Sequence, residues 1–147
     1  MKTDLYKKDF YAWTMKNANL LSNHRFADID VEHIVEELIS MGRSEQREFV
    51  ARLAILIAHL LKWQCQANFQ SKSWQFTIKE QRRALLRFLK DSPSLKNHDL
   101  HDKLVDAYKD AILLVCKDTG LDEDLFPEIL PYTFDQLMDT IFYPEHH

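Results

Sequence analysis

Six cations between residues 72 and 90 recur at the spacing of one helical face. At 100° per residue they fall within an arc of about 140°. They are Lys72, Lys79, Arg82, Arg83, Arg87 and Lys90. Such a stripe binds phosphate backbones or docks an acidic protein, and a merely solvated helix face looks the same. We predict an interaction face from Lys79 to Lys90, which Lys72 joins only if the helix extends that far.

The segment from residue 30 to residue 37 is rich in acidic residues and contains one histidine. The residues that could do chemistry are Asp30, Glu32, His33, Glu36 and Glu37. Asp30, His33 and Glu37 share a face, and carboxylates with imidazole can ligate a metal. A di-metal bundle, however, needs Glu-x-x-His on two helices, and the chain contains none. The His-x-x-His at His98 and His101 is another weak signal. We predict an acidic interaction face here and no metal or cofactor.

His59 and Gln64 are two of the polar residues in the largely apolar stretch LAILIAHLLKWQ at residues 53–64. His59 has the chemistry of a general base, but an isolated histidine beside a core is typically a hydrogen-bonded boundary residue. Gln64 lies near the apolar faces, and a buried glutamine must be hydrogen-bonded. We predict structural roles for both, with Gln64 tying its helix to the connection at residues 67–73. Cys65 and Cys116 form no CxxC motif, so neither a disulfide framework nor a zinc site is indicated.

Helical periodicity dominates the rest of the chain, and the apolar stretch at residues 53–64 marks the central helix. Val31, Ile34, Val35 and Leu38 follow the i, i+3, i+4, i+7 pattern of a helix that buries one stripe. Gly42 and Gly120 suit helix ends, and Thr133 suits an N-cap. The predicted helices cover about residues 4–23, 30–41, 44–66, 74–90, 99–118 and 134–140, with Thr3 and Ser73 as the N-caps of the first and fourth.

The composition fits one all-α domain, a bundle of four to five long helices with a short C-terminal helix. The chain has 147 residues, two glycines and four prolines, which favours long helices and short connections. Its net charge of −4 disfavours global attraction to nucleic acid or to an anionic membrane. No signal peptide or membrane span is visible, so we expect a cytoplasmic location. Residues 145–147, EHH, resemble the start of an expression tag.

Six ordered phrases resemble the bacterial domain-of-unknown-function family 29, which is abundant in cyanobacteria. They are YKKDFYAW, DIDVEHIVEELISMGRSE, AHLLKWQ, SWQFTIKEQR, DSPSL and FPEILPYTFDQLMD. The resemblance spans nearly the whole chain and departs from the family pattern at Cys65, where an aromatic residue is expected. It implies an all-helical single domain and carries no activity, cofactor or catalytic residue.

Three functional hypotheses follow. The absence of any catalytic constellation, together with separate acidic and basic faces, favours a module that binds another protein or a second copy of itself. The alternative is a nucleic-acid-binding module that uses the basic face at Lys79–Lys90. A second alternative is an enzyme or metal-binding bundle that uses His59 or the acids at residues 30–37.

Overall fold

A computed structural model describes residues 2–97 and 99–145. Over these residues the chain is helical and contains no β-strand, which confirms the all-α prediction. The helices are α1 (Lys2–Lys8), α2 (Phe10–Ser22), α3 (Val31–Cys65), α4 (Lys72–Asp91), α5 (Leu100–Thr119) and α6 (Phe134–Met138). None of the described helices is long and apolar enough to cross a membrane. His98 of the His-x-x-His motif and the possible tag residues His146 and His147 lie outside the described residues.

The predicted helix end at Gly42 is wrong, because α3 continues through this glycine and is 35 residues long in all. A glycine inside a helix costs about 1 kcal/mol relative to alanine. Ending one helix and starting another would leave several backbone groups without partners. The neighbours of Gly42 are good helix formers, and the positive-φ residues of the chain do not include it. Continuing the helix through Gly42 is therefore more favourable than ending it there.

The predicted first helix is instead two helices that meet at Asp9. The Asp9 side chain accepts a hydrogen bond of 3.0 Å from the Ala12 backbone N–H and so caps α2. Short acidic side chains compete in this way with the continuing helix. Thr3 lies inside α1 rather than before it.

The chain divides into two compact units, Met1–Glu45 and Gln46–His147, and α3 contributes to both. The N-terminal unit comprises α1, α2 and the first part of α3. Among its described side chains only Trp13, Asn17 and Asp30 are buried. This unit therefore rests on a small, partly polar core.

The C-terminal unit has an extensive apolar core. The stretch from Phe49 to Leu61 in α3 supplies more of it than any other element, as expected for the predicted central helix. The remaining buried residues come from α4, α5 and the C-terminal segment: Ile78, Leu85, Ala107, Tyr108, Ala111, Val115, Phe126, Tyr132 and Leu137. Ser71, two residues before the predicted Ser73, caps α4. Gly120 ends α5 with φ of 77°, and Thr133 forms a capping box with Gln136 at α6.

Candidate functional site

The first part of α3 carries an apolar stripe that faces away from its own chain. The periodicity predicts that Val31, Val35 and Leu38 face inward, yet all three are exposed, with Leu38 at 62%. Ile39 and Gly42 lie beside them and are exposed as well. The five residues fall within an arc of about 100°. We call this set, Val31, Val35, Leu38, Ile39 and Gly42, the α3 stripe. The prediction of burial was wrong for the single chain, because its other described residues leave the stripe uncovered.

The opposite face of this part of α3 packs on α2 through Asp30. The Trp13 indole Nε1–H donates to Asp30 Oδ2 over 2.9 Å, and His33 Nδ1 lies 2.8 Å from the same oxygen. The Asp30 backbone N–H donates over 2.8 Å to Asn17 Oδ1, and Asn17 in turn donates to the Trp13 carbonyl. Burial opposes ionisation of Asp30, but the hydrogen bonds from Trp13 and His33 outweigh it and hold its pKa below the usual value.

The predicted acidic face is therefore divided between two sides of the helix. Asp30, His33 and Glu37 face the unit's own core, where Glu37 accepts a hydrogen bond from the Tyr6 hydroxyl. This bond raises the pKa of Tyr6 to about 12, and the Tyr6 ring stacks on His33 at 3.9 Å. Glu32 and Glu36 remain exposed. Over the described part of the chain, no group of three acids, histidines or cysteines is arranged to hold a metal.

The predicted basic face on α4 loses its central member. Lys79, Arg83, Arg87 and Lys90 are exposed, but Arg82 is only 2% exposed. The Arg82 Nε–H donates to the Leu137 carbonyl over 2.8 Å, and Nη2 donates to the Gln136 carbonyl over 3.3 Å. These carbonyls belong to the C-terminal turn of α6, which lacks helical acceptors for them. Arg82 was thus wrongly placed on the exposed face, because α6 packs against this side of α4.

Residues 5–143 match the model of the family described as Domain of unknown function DUF29. The chain belongs to this family. No curated protein and no solved structure matches it. Because the family description assigns no activity, the function of this DUF29 chain has to be argued from its own surfaces.

His59 and Gln64 in the central helix of the DUF29 chain make structural hydrogen bonds. His59 Nδ1 lies 2.9 Å from the Ile55 carbonyl, and burial lowers the pKa of this imidazole. The Tyr132 hydroxyl donates to Gln64 Oε1 over 2.7 Å, which links α3 to the C-terminal segment. The connection at residues 67–73 is joined to α3 by Gln70, whose Nε2 donates to the Trp63 carbonyl over 3.1 Å.

Sequence reasoning missed an ion pair between α3 and α5 in which the lysine is buried and the aspartate is half exposed. Lys62 is 7% exposed, and its Nζ lies 2.6 Å from Asp118 Oδ2. The hydrogen bond from Lys62 lowers the pKa of Asp118. The only signal in the sequence is a lysine directly after the apolar run that ends at Leu61. Its partner lies 56 residues away and cannot be read from local spacing.

An apolar groove of about 380 Å³ runs between α3 and α5 of the DUF29 chain. It is lined by Ala51, Ala54, Ile55, Asp110, Leu113, Leu114 and Lys117. Leu113 and Leu114 of α5 both line the groove and are exposed. The groove contains one acid and one base at its edge but no constellation typical of catalysis.

Proposed function

We propose that this protein is a protein-interaction module whose docking surface is the α3 stripe. The observation that carries the proposal is the exposure of this stripe on an otherwise regular amphipathic helix. Such a helix is stable when something covers its apolar face. Of nineteen large apolar side chains that are exposed among the described residues, ten lie in the N-terminal unit. This density on a unit of 45 residues is typical of an interaction surface.

Gly42 gives the stripe a specific shape. A Cβ atom added at Gly42 would meet nothing within 4 Å, so no contact within the described chain requires a glycine there. In an exposed helix, glycine is less favourable than alanine by about 1 kcal/mol. A glycine beside Val35 and Leu38 does, however, leave a notch that lets another backbone or a branched side chain approach closely. This supports a tightly packed helical partner.

The partner that we propose is a second copy of the chain, paired antiparallel along the α3 stripe. In heptad terms Val31 and Leu38 occupy d positions, and Val35 and Gly42 occupy a positions. A two-fold axis between residues 36 and 37 sets Val31 against Gly42, a large side chain against none, and sets Val35 against Leu38. Each contact then occurs twice, as a two-fold interface requires.

The charges beside the stripe fit the same arrangement. Glu32 and Arg43 lie on one flank of α3, eleven residues apart, and both are exposed. The antiparallel register brings Arg43 of one copy to within about one turn of Glu32 of the other. Opposite charges at such positions favour one orientation and disfavour the parallel one. Burial of Arg82 leaves a weaker basic face, which supports protein binding over the nucleic-acid alternative.

Sedimentation velocity of the full chain across a range of concentrations tests the proposal, which also assumes the expected cytoplasmic location. We expect a dimer that Leu38→Glu converts to monomer. Leu125→Glu is the matched control, because Leu125 is 65% exposed and lies in the C-terminal unit. Glu32→Arg and Arg43→Glu should each weaken the dimer, and the double variant should restore it. A monomer at every concentration, with no partner whose binding depends on Leu38, would contradict the proposal.

A further inference from the structure

A second open site lies in the C-terminal unit and has a different chemistry. It is a cavity of about 330 Å³ lined by Lys79, Arg82, Arg83, Leu86 and Thr140. Three of its five lining residues are cations, and no carboxylate lines it. Small-molecule sites typically start at about 300 Å³. The cavity is therefore large enough for an anionic group that carries a small organic portion.

Arg82 makes this cavity different from a cluster of surface cations. Its side chain is almost completely buried, and its Nη1 has no hydrogen-bond partner among the described residues. The partners of Nε and Nη2 are neutral carbonyls of α6. The Tyr143 ring lies 5.6 Å from the guanidinium carbon. None of the ion pairs between described residues includes Arg82. Asp139 acts on Arg82 only at a distance, and a buried charge that makes no ion pair is unfavourable.

The positions of the other cations follow from the helix. Lys79 and Arg83 are separated by four residues, so they lie one above the other on the same side of α4. Arg82 precedes Arg83 and is fixed by α6, whereas Lys79 and Arg83 are exposed. The exposed side chains of Lys79 and Arg83 can therefore both contact one bound anion. The positive charge of Arg82, which α6 holds in place, attracts the same anion. Thr140 also lines the cavity, and its side chain carries a neutral hydroxyl donor.

We infer that this cavity binds a phosphoryl group, either as free phosphate or as the phosphate of a small metabolite. Arginine and lysine together suit the several oxygens of a tetrahedral dianion, with charge-assisted hydrogen bonds. The bound anion would also offset the unpaired charge of Arg82. This inference does not depend on the α3 stripe and goes beyond a protein-interaction role.

Calorimetric titration of the full chain tests the inference, with inorganic phosphate, pyrophosphate and glycerol phosphate as probes at constant ionic strength. We expect saturable 1:1 binding to at least one probe. Tighter binding of glycerol phosphate would indicate a metabolite ester, and tighter binding of inorganic phosphate the free ion. Lys79→Gln and Arg83→Gln should each weaken binding about tenfold or more, because each removes a charge-assisted contact.

Arg87→Gln is the matched control, because Arg87 is an exposed cation of α4 that does not line the cavity. It should leave the affinity unchanged, and circular dichroism should show that all three variants fold. If Arg87→Gln weakened phosphate binding as much as Lys79→Gln and Arg83→Gln do, the binding would be a general attraction to the basic face, and the proposed site would be wrong. Absence of saturable binding to all three probes would overturn it too. So would binding of single-stranded RNA without binding of any phosphate probe, which would favour the nucleic-acid alternative.

Discussion

The indole of Trp13 and the carboxylate of Asp30 are joined by a buried hydrogen bond of 2.9 Å that holds α2 against the start of α3. Trp13 is the one large apolar side chain that the N-terminal unit buries among its described residues. The bond therefore connects that side chain to the first residues of the proposed docking helix.

Replacement of Asp30 by alanine should loosen the N-terminal unit. The substitution removes the carboxylate that accepts the hydrogen bond from the Trp13 indole N–H and that contacts His33. A buried donor that loses its acceptor costs about 1–3 kcal/mol. The measurement is urea unfolding followed by the NMR signal of the Trp13 indole. Asp28→Ala is the control, since Asp28 is exposed and bonded only to Arg25 among the interactions described. Equal stability of both variants would show that the bond contributes nothing.

The same carboxylate should make the N-terminal unit acid-sensitive. The folded state holds the pKa of Asp30 below its usual value of 3.8. The stabilisation is therefore fully present above the usual pKa and is lost as the pH falls through the lower folded-state pKa. The Trp13 indole signal, followed by NMR from pH 7 to pH 2, should shift over that interval. Asp30→Asn should abolish the shift; its persistence in that variant would assign it to another group.

The ion pair between Lys62 and Asp118 should respond asymmetrically to substitution. Asp118→Asn leaves a buried ammonium without its counter-ion and should destabilise the protein by about 1–3 kcal/mol. Lys62→Met should cost less, because Asp118 is about half exposed and returns to water. Guanidinium unfolding measures both, and Asp110→Asn on the same helix is the control. A larger loss in Lys62→Met would mean that packing of the lysine chain matters more than its charge.

Gly42→Ala should separate helix stability from association. Because the added methyl group meets nothing in the described chain, it should raise helix stability by about 1 kcal/mol. In the proposed dimer the same methyl group fills the notch that receives Val31, so self-association should weaken. Thermal unfolding of dilute protein measures the change in stability, and sedimentation equilibrium measures the change in self-association. An alanine variant that is more stable and dimerises more tightly would rule out close packing at this position.

Amide exchange along α3 should differ between its two parts. Amides from Phe49 to Lys62 lie in the C-terminal core and should exchange slowly, whereas the residues between Val31 and Glu48 include no buried side chain. In the proposed dimer, protection of this first part should increase with protein concentration. Mass spectrometry of exchanged peptides reads both parts at once. Uniform protection at every concentration would contradict the prediction.

The prediction of a single domain stays a prediction that calorimetry can test. One cooperative transition is expected of a single domain, whereas the two compact units would allow two. The transition that includes Trp13 can be identified by its fluorescence in variants that lack the other tryptophans, Trp63 and Trp74. An early, separate melting of the N-terminal unit would refute the single-domain prediction.

The sequence predicted the helical regions, but not all of their ends, because apolar spacing and capping act locally. Gly120 and Thr133 were placed correctly, since a positive-φ helix end and a capping box need only a few neighbouring residues. Gly42 was misread because a glycine at a helix end and one inside a helix have the same local signature. The choice between them depends on the helix formers that follow.

The candidate sites were harder to predict because burial is set by distant residues. The periodicity of α4 placed Arg82 among its exposed cations. The residue is buried because α6 packs against it, and its partner Leu137 lies 55 residues later in the chain. The inward prediction for Val35 and Leu38 failed for the converse reason. Periodicity shows which face of a helix is apolar, but it does not show whether the covering surface belongs to the same chain.

The bond from Arg82 to the end of α6 changes the meaning of the C-terminal segment. A helix of five residues has little stability of its own, and it resembles a dispensable tail. Its carbonyls, however, are the hydrogen-bond acceptors of a buried cation on α4. Proteolytic removal of the residues after Leu130 would take away both the carbonyls that Arg82 binds and the segment that covers it. Trimming the tail would therefore open this side of α4 to water, and its effect would appear about fifty residues before the cut.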